Sequence, residues 1–297
     1  MSDIVLLDGG MGQELLKRSG DEPTPLWATQ VMIDHPGLVQ AIHADYFAAG
    51  ATVATTNTYA IHHDRLLRFD IDDRFAELHR MALDEAKAAR DAHGSGRIAG
   101  SIGPLGASYR TDLLPTHGEA VAKYAEVAML LAPHVDIVLC ETLASLDAVR
   151  AGLEGALEAG KPVWLAVTVD DEDGSKLRSG EPVADLCAIA ADGATAVLAN
   201  CSAPEAMEAA LEAIAPCGLP FGAYANAFIQ ITNSFLKVGA TVDELEPRRD
   251  MGPENYARFA MRWVDMGATI VGGCCETGPA HIAEIARVLK SAGHEIV

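Results

Sequence analysis

Eight alternations of a β-like run with a helix-like run predict an α/β protein, a closed (β/α)8 TIM barrel, in this 297-residue chain. The count of eight and one further observation favour the barrel over a doubly wound open sheet. Gly10 and Gly12 begin a glycine pattern after the first strand, but the third glycine of a dinucleotide-binding turn is missing. Polar residues also collect at the C-terminal ends of the strands, the face on which a barrel keeps its active site.

The elements follow in order. Ile4-Val5-Leu6-Leu7 is a short apolar run, as expected of a strand buried on both faces. Asp8-Gly9-Gly10-Met11-Gly12 ends it, and a helix-like stretch follows. Residues 36–49 have helical spacing, with Leu38, Val39, Ile42, Tyr46 and Phe47 on one face and Gly50 as the stop. Residues 52–59 are β-branched and read as the second strand, with an unusually polar end at Thr56-Asn57-Thr58. An alanine-rich helix over 72–92 leads to a third strand at 98–102. A helix over 118–132 leads to a fourth at 136–142, ending in Glu141. Strands at 162–169, 196–201 and 220–226 alternate with helices at 145–159, 182–191 and 204–214. A long connection, 227–252, precedes a helix at 254–266. The eighth strand, 269–273, and a last helix close the chain.

Composition bounds the function. Lys plus Arg is 22 against 42 for Asp plus Glu, a formal charge of −20. Such a surface repels phosphate backbones and anionic lipid, which argues against nucleic-acid or membrane partners and for small-molecule substrates. No apolar run approaches a membrane span, and the N-terminus starts a strand rather than a signal peptide. Six cysteines in a chain this long do not suggest a disulfide framework, so a reducing cytoplasm is the expected compartment. Residues 1–297 are expected to form a single domain, and a homo-oligomer stays open.

The chemistry centres on Gly272-Gly273-Cys274-Cys275. Adjacent cysteines bond to each other only in a strained ring. Taken alone, the stretch fits either a thiolate pair facing a metal or two buried thiols acting as small hydrophobes. Asp8, Thr56-Asn57, Glu141, Asn200-Cys201, Asn226 and Cys274-Cys275 all close proposed strands and would meet at one mouth. Cys201, Cys274 and Cys275 could then share one point, and three protein ligands with an open position hold a catalytic zinc. Cys140, Cys187 and Cys217 are expected to be buried structural thiols. His62-His63 are expected in a solvated loop.

These residues resemble the homocysteine S-methyltransferase family. The marks are Asp8-Gly9-Gly10-Met11-Gly12, His43-x-x-Tyr46 with Ala49-Gly50-Ala51, Thr56-Asn57-Thr58-Tyr59, Ser101-Ile102-Gly103-Pro104, Glu141-Thr142, Asn200-Cys201-Ser202 and Gly272-Gly273-Cys274-Cys275. The resemblance implies a (β/α)8 homocysteine-binding domain. It implies Zn2+ on Cys201, Cys274 and Cys275, which would be both metal ligands and catalytic residues. It implies that Asp8, Thr56 and Glu141 hold the amino-acid part of homocysteine, with Gly9 and Asn200 of the same motifs counted among the substrate-binding residues. The expected reaction is zinc-dependent methyl transfer to homocysteine, giving methionine, from a sulfonium donor: S-methylmethionine or S-adenosylmethionine. Betaine is not expected. The chain departs from many relatives at Tyr224-Ala225-Asn226-Ala227-Phe228, where a proline and a glycine are missing. The stretch from there to Met251 is expected to cover the donor. Trp27, Tyr59, Tyr109 and Tyr224 are the aromatic candidates to face its cation. The alternative is a thiol-rich barrel that binds metal or senses redox state without methyl transfer.

Overall fold

The computed structural model describes residues 2–232, 235–237, 241 and 244–297. Eight parallel strands form its centre: β1 (Asp3–Leu6), β2 (Val53–Thr55), β3 (Arg97–Ile102), β4 (Ile137–Leu143), β5 (Val163–Val167), β6 (Ala196–Asn200), β7 (Phe221–Tyr224) and β8 (Ile270–Val271). They neighbour one another in that order, and β8 pairs with β1. The ring closes between β1 and β2. Leu7 bridges Val53 in parallel, Thr52 N donates to Leu6 O at 2.7 Å, and Asp8 N donates to Val53 O at 3.2 Å.

Parallel neighbours require long crossovers, and helices supply them. They are α1 (Met11–Ser19), α2 (Ala28–Asp34), α3 (Leu38–Ala49), α4 (His63–Leu66), α5 (Phe75–His93), α6 (His117–Leu131), α7 (Leu146–Leu157), α8 (Leu186–Ala190), α9 (Met207–Ile214), α10 (Pro253–Asp265) and α11 (Pro279–Ser291). Local chemistry marks their ends. Thr116 and Glu119 form a capping box before α6, and Gly94 ends α5 at φ 84°, a left-handed turn that costs glycine nothing. No helix among the described residues is long and apolar enough to cross a membrane.

Strand alternation splits the apolar residues into two layers. Leu7, Val53, Ala99, Ile137, Leu139, Trp164, Leu198 and Ile270 fill the barrel interior. Ile4, Leu6, Val138, Cys140, Leu165 and Val197 face outward and pack with the helices in the main core. Cys140 therefore points away from Glu141. It is a buried thiol whose pKa burial pushes up to about 12.

Four features differ from the sequence expectation. The short helices α2 and α4 were not expected. A ninth strand, β9 (Glu295–Ile296), pairs with the start of β1; Ile4 O accepts from Val297 N at 3.0 Å on the edge where Leu6 O accepts from Thr52 N. The second strand stops at Thr55, because hydroxyls take over from the ladder: Thr56 Oγ1 accepts the Ser101 amide at 3.0 Å and Thr58 Oγ1 donates to Ser101 O at 2.6 Å. Cys187 and Cys217 are not free thiols. They form a disulfide, because α8 and the turn after α9 lie side by side across a sequence separation of 30.

The ends of β7 and β8 are tied by one buried hydroxyl. Tyr256 on α10 donates to Ala225 O and to Gly272 O, each at 2.9 Å. Removing it leaves the buried Gly272 carbonyl short of a donor, while Ala225 O keeps the Cys274 amide at 3.0 Å. Tyr256→Phe is expected to lower the unfolding free energy by about 1–3 kcal/mol, read as a lower urea midpoint at unchanged slope. An unchanged midpoint would show that this cross-tie adds no stability.

Candidate active site

Cys201 follows β6, and Cys274 and Cys275 follow β8. Their sulfur atoms all lie within 4.8 Å of one another, with Cys201 and Cys275 at 3.6 Å. That is too long for a disulfide. It matches the separation of roughly 3.8 Å that tetrahedral geometry sets between thiolates on one zinc at Zn–S of about 2.3 Å. The donor set is soft sulfur, suited to zinc and other thiophilic ions. Hydrogen bonds from Cys274 and Cys275 hold the Cys201 thiol well below the ordinary range, and the same pairing with Cys201 pushes Cys274 and Cys275 up. Cys201 sits at φ 49°, a left-handed conformation that non-glycine residues adopt at a cost and that clusters at functional sites. The sharp turn before the cysteine pair needs Gly273, where a Cβ would overlap the Thr277 hydroxyl. Thr277 instead donates to Cys274 O at 2.6 Å.

Two buried carboxylates share the cavity with the sulfurs. Glu141 points inward from β4, where Ser101 Oγ donates to Oε1 at 2.5 Å and Tyr224 Oη donates to Oε2 at 2.9 Å. Asp8 Oδ2 accepts the Thr55 amide at 2.7 Å, with His43 Nδ1 at 3.9 Å. Burial raises both carboxyls to about 7, against the hydrogen bonds that lower them. Burial likewise lowers His43 to about 4, and neither of its ring nitrogens has a partner. Burial thus disfavours a charged His43 that could offset the acids. Two buried carboxyls whose ionisation is resisted by burial favour a cationic guest, whose charge offsets that cost.

A cavity of about 220 Å3 joins these groups. Asp8, Gly9, Thr56, Glu141, Cys201, Cys274 and Cys275 all line it. Asn200 does not line it. Asn200 is fully buried behind Glu141, donates to Thr142 Oγ1 at 2.9 Å and accepts the Thr142 amide at 3.0 Å, which supports the strained turn at Thr142, φ 59°. Gly9 lets the backbone pass close to the cysteine turn, since a Cβ there would strike Thr277 O. Asn57 and Asn226 brace backbone: Asn57 Nδ2 donates to Ala28 O at 3.2 Å, and Asn226 Oδ1 accepts the Phe228 amide at 3.2 Å.

The solvated-loop expectation fails at His62. It is buried, and its Nε2 donates to Gly103 O at 3.0 Å, a partner that lets a ring nitrogen leave water. His63 is half-buried and stacks on Phe75 at 3.8 Å. Neither lines the cavity. The sequence reading passed over Ser101 and Tyr224 as donors to Glu141. Tyr109, expected only as an aromatic face for the donor, has its hydroxyl 3.0 Å from Cys201 Sγ. Alternation from Ala99 already points Ser101 inward, but nothing in the sequence assigns Tyr109 to a particular sulfur.

Residues 5–289 match the family model for homocysteine S-methyltransferase. The chain belongs to the homocysteine S-methyltransferase family. It is 31% identical to the homocysteine S-methyltransferase of Escherichia coli K12, over 95% of this chain and 94% of that one. It is 27% identical to the homocysteine S-methyltransferase YbgG of Bacillus subtilis, over 97% and 95%. The crystal structure of the homocysteine methyltransferase MmuM from Escherichia coli in its metallated form superposes with a TM-score of 0.79 at 28% identity, covering 96% of each chain. Family membership assigns this barrel to methyl transfer to homocysteine and sets aside the non-catalytic alternative.

The sulfur triangle has a direct test. Cobalt(II) added to the reduced, chelator-treated protein should bind at about one ion per chain and give intense thiolate-to-metal absorption, since three thiolates bind such ions in tetrahedral sites. Cys274→Ser should lose most of that signal. Full retention in a Cys201, Cys274, Cys275 triple serine variant would rule out the cluster as the metal site.

Proposed function

We propose that this chain is one homocysteine-binding domain that transfers a methyl group from a sulfonium donor, S-methylmethionine or S-adenosylmethionine, to homocysteine, with Zn2+ on Cys201, Cys274 and Cys275. The observation that carries the proposal is the opening of three sulfurs and two buried acids onto one cavity. A zinc ion bound there would supply Lewis acidity that keeps the acceptor sulfur deprotonated at neutral pH. Asp8 and Glu141 would pair with the substrate ammonium, and its charge would draw both carboxyls into the ionised form. Ser101 and Tyr224 hold the Glu141 oxygens in place, and Asn200 backs the turn beside them. Thr56 and the Gly9 backbone line the same pocket. The cavity walls would orient the two sulfurs.

The transfer balances without a further reagent. The donor's S–CH3 bond breaks and its electron pair returns to the donor sulfur, giving a neutral thioether. A new S–CH3 bond forms on homocysteine, whose thiol proton leaves to solvent. The products are methionine and, from the donor, methionine or S-adenosylhomocysteine.

The lining supports a cationic donor. Of the four aromatic candidates, Tyr224 commits its hydroxyl to Glu141. Tyr59 and Tyr109 each already face a guanidinium, Arg65 at 5.6 Å and Arg178 at 5.3 Å. Trp27 carries no such cation among the described residues and is the ring best suited to a sulfonium. Phe228, Phe235 and Leu245 come from the long connection after β7 and line the same cavity, which supports a covering role for it. Within residues 225–251, positions 233, 234, 238–240, 242 and 243 lie outside the described residues. Reduced thiolates suit a reducing medium, so the cytoplasm is the proposed compartment; the Cys187–Cys217 disulfide pulls the other way.

A donor panel tests the reaction: methionine should form from homocysteine with S-methylmethionine or S-adenosylmethionine and not with betaine. Trp27→Ala and Phe228→Ala should raise the donor KM more than the homocysteine KM. Efficient transfer from betaine, or variants that disturb only homocysteine binding, would contradict the donor assignment.

The acids set a pH dependence. Both are raised to about 7, so their charge is present above that pH and lost as pH falls through it. The homocysteine KM is therefore expected to rise about tenfold or more from pH 8 to pH 6. Glu141→Gln should raise it at pH 8, flatten that rise and leave bound metal unchanged. A KM that stays level across this range in the unaltered protein would remove the carboxylates from ammonium binding.

A further inference from the structure

We propose that Arg65, with Arg68 and Lys237 lining the same cavity, binds the carboxylate of the methyl donor's amino-acid part and so selects for it. The inference rests on the sulfonium donor proposed above and adds the group that recognises its far end. Arg65 is half-buried on α4 and lines the cavity. Its Nη2 donates to Pro104 O at 3.0 Å, its guanidinium lies over the Tyr59 ring at 5.6 Å, and its Nε is buried with no hydrogen-bond partner. Tyr59 is itself fixed by a hydroxyl contact with Ser108 at 2.7 Å. The fork is thus held in one orientation before any ligand arrives.

What it lacks is an anion. The chain carries 42 acidic residues against 22 Lys and Arg, yet none of the described acids ion-pairs with Arg65. A half-buried cation usually has a partner, because leaving it unpaired is costly. Arg68 and Lys237 line the same cavity from its exposed rim and also form no ion pair among the described residues. The cavity is therefore polar in a fixed sense. Two acids stand at its buried end, where the acceptor's ammonium is proposed to bind, and cations stand at its open end. A planar guanidinium recognises a carboxylate with two parallel hydrogen bonds, which a point charge does not. The shared chemistry is the α-amino carboxylate that S-methylmethionine and S-adenosylmethionine both carry.

The probes are S-methylmethionine and its carboxamide, which keeps the sulfonium and removes the carboxylate charge, run on the full chain with saturating homocysteine. In the unaltered protein kcat/KM for the carboxamide should be about tenfold or more lower, the scale of one charge-assisted contact. Arg65→Met should lower kcat/KM for S-methylmethionine by a similar factor, leave the carboxamide unchanged, and leave the homocysteine KM within about twofold. Arg65→Lys should restore part of the loss. Arg68→Ala, at an exposed position, should shift the same ratio by less. Where S-adenosylmethionine is a donor, Arg65→Met should reduce its use as well. Equal use of acid and amide by the unaltered protein overturns the carboxylate contact and leaves the sulfonium reading standing. An equal loss for both probes in Arg65→Met assigns the guanidinium to packing, and a rise confined to the homocysteine KM assigns it to the acceptor; each overturns the proposal. Absence of transfer from every sulfonium, with another methyl donor active, overturns the donor reading and this contact together.

Discussion

The end of β7 is the clamp on which the site depends. Tyr224 O accepts the Cys201 amide at 3.1 Å and Ala225 O accepts the Cys274 amide at 3.0 Å. One strand end thus grips a cysteine from each neighbouring strand, and the sulfurs converge above it. Cys275 O completes the arrangement by accepting the Ala227 amide at 3.0 Å, which starts the long connection across the mouth. The left-handed turn at Cys201 runs against its side-chain sterics, and these backbone bonds help offset that strain. The clamp uses carbonyls and amides rather than side chains, so it does not depend on the side chains of Ala225-Asn226-Ala227-Phe228.

The same closed barrel sets the electrostatics. Asp8 and Glu141 are inward-facing and largely buried, so their carboxyls resist ionisation despite good donors. A surface of formal charge −20 would by itself draw cations anywhere on the molecule. The cavity is more selective. It is lined by two buried acids, by aromatic rings, and by the half-buried Arg65, which has no ion-pair partner among the described residues. Acidic and basic groups thus line one cavity within an acidic surface.

The periodic parts of the fold were legible in advance. Each predicted strand has its counterpart, because runs such as Ile137-Val138-Leu139 are apolar at every position and only a strand covered on both faces tolerates that. Boundaries moved where side chains compete with the ladder, as Thr56 and Thr58 do. Short elements escaped notice because α2, α4 and β9 have too few residues to show a period. Among site residues, those in dense motifs were legible: Asp8, Glu141 and the cysteines stand at strand ends, and strand ends converge. Asn200 was named from its motif, but its side chain turns to Thr142 and Glu141 behind the wall.

By itself, the sequence determined the barrel, the face on which polar residues meet and the three sulfurs that could share a point, because period, strand-end position and residue type are local properties. Tertiary structure alone decided the rest. It joined Cys187 to Cys217, buried His62, set Tyr109 against Cys201, and left Arg65 at the cavity without an ion-paired acid among the described residues. Each of these depends on which loop crosses which strand end. Contacts between segments far apart in the chain leave no spacing to read, so only the closed ring, with its fixed strand order, could bring those atoms together.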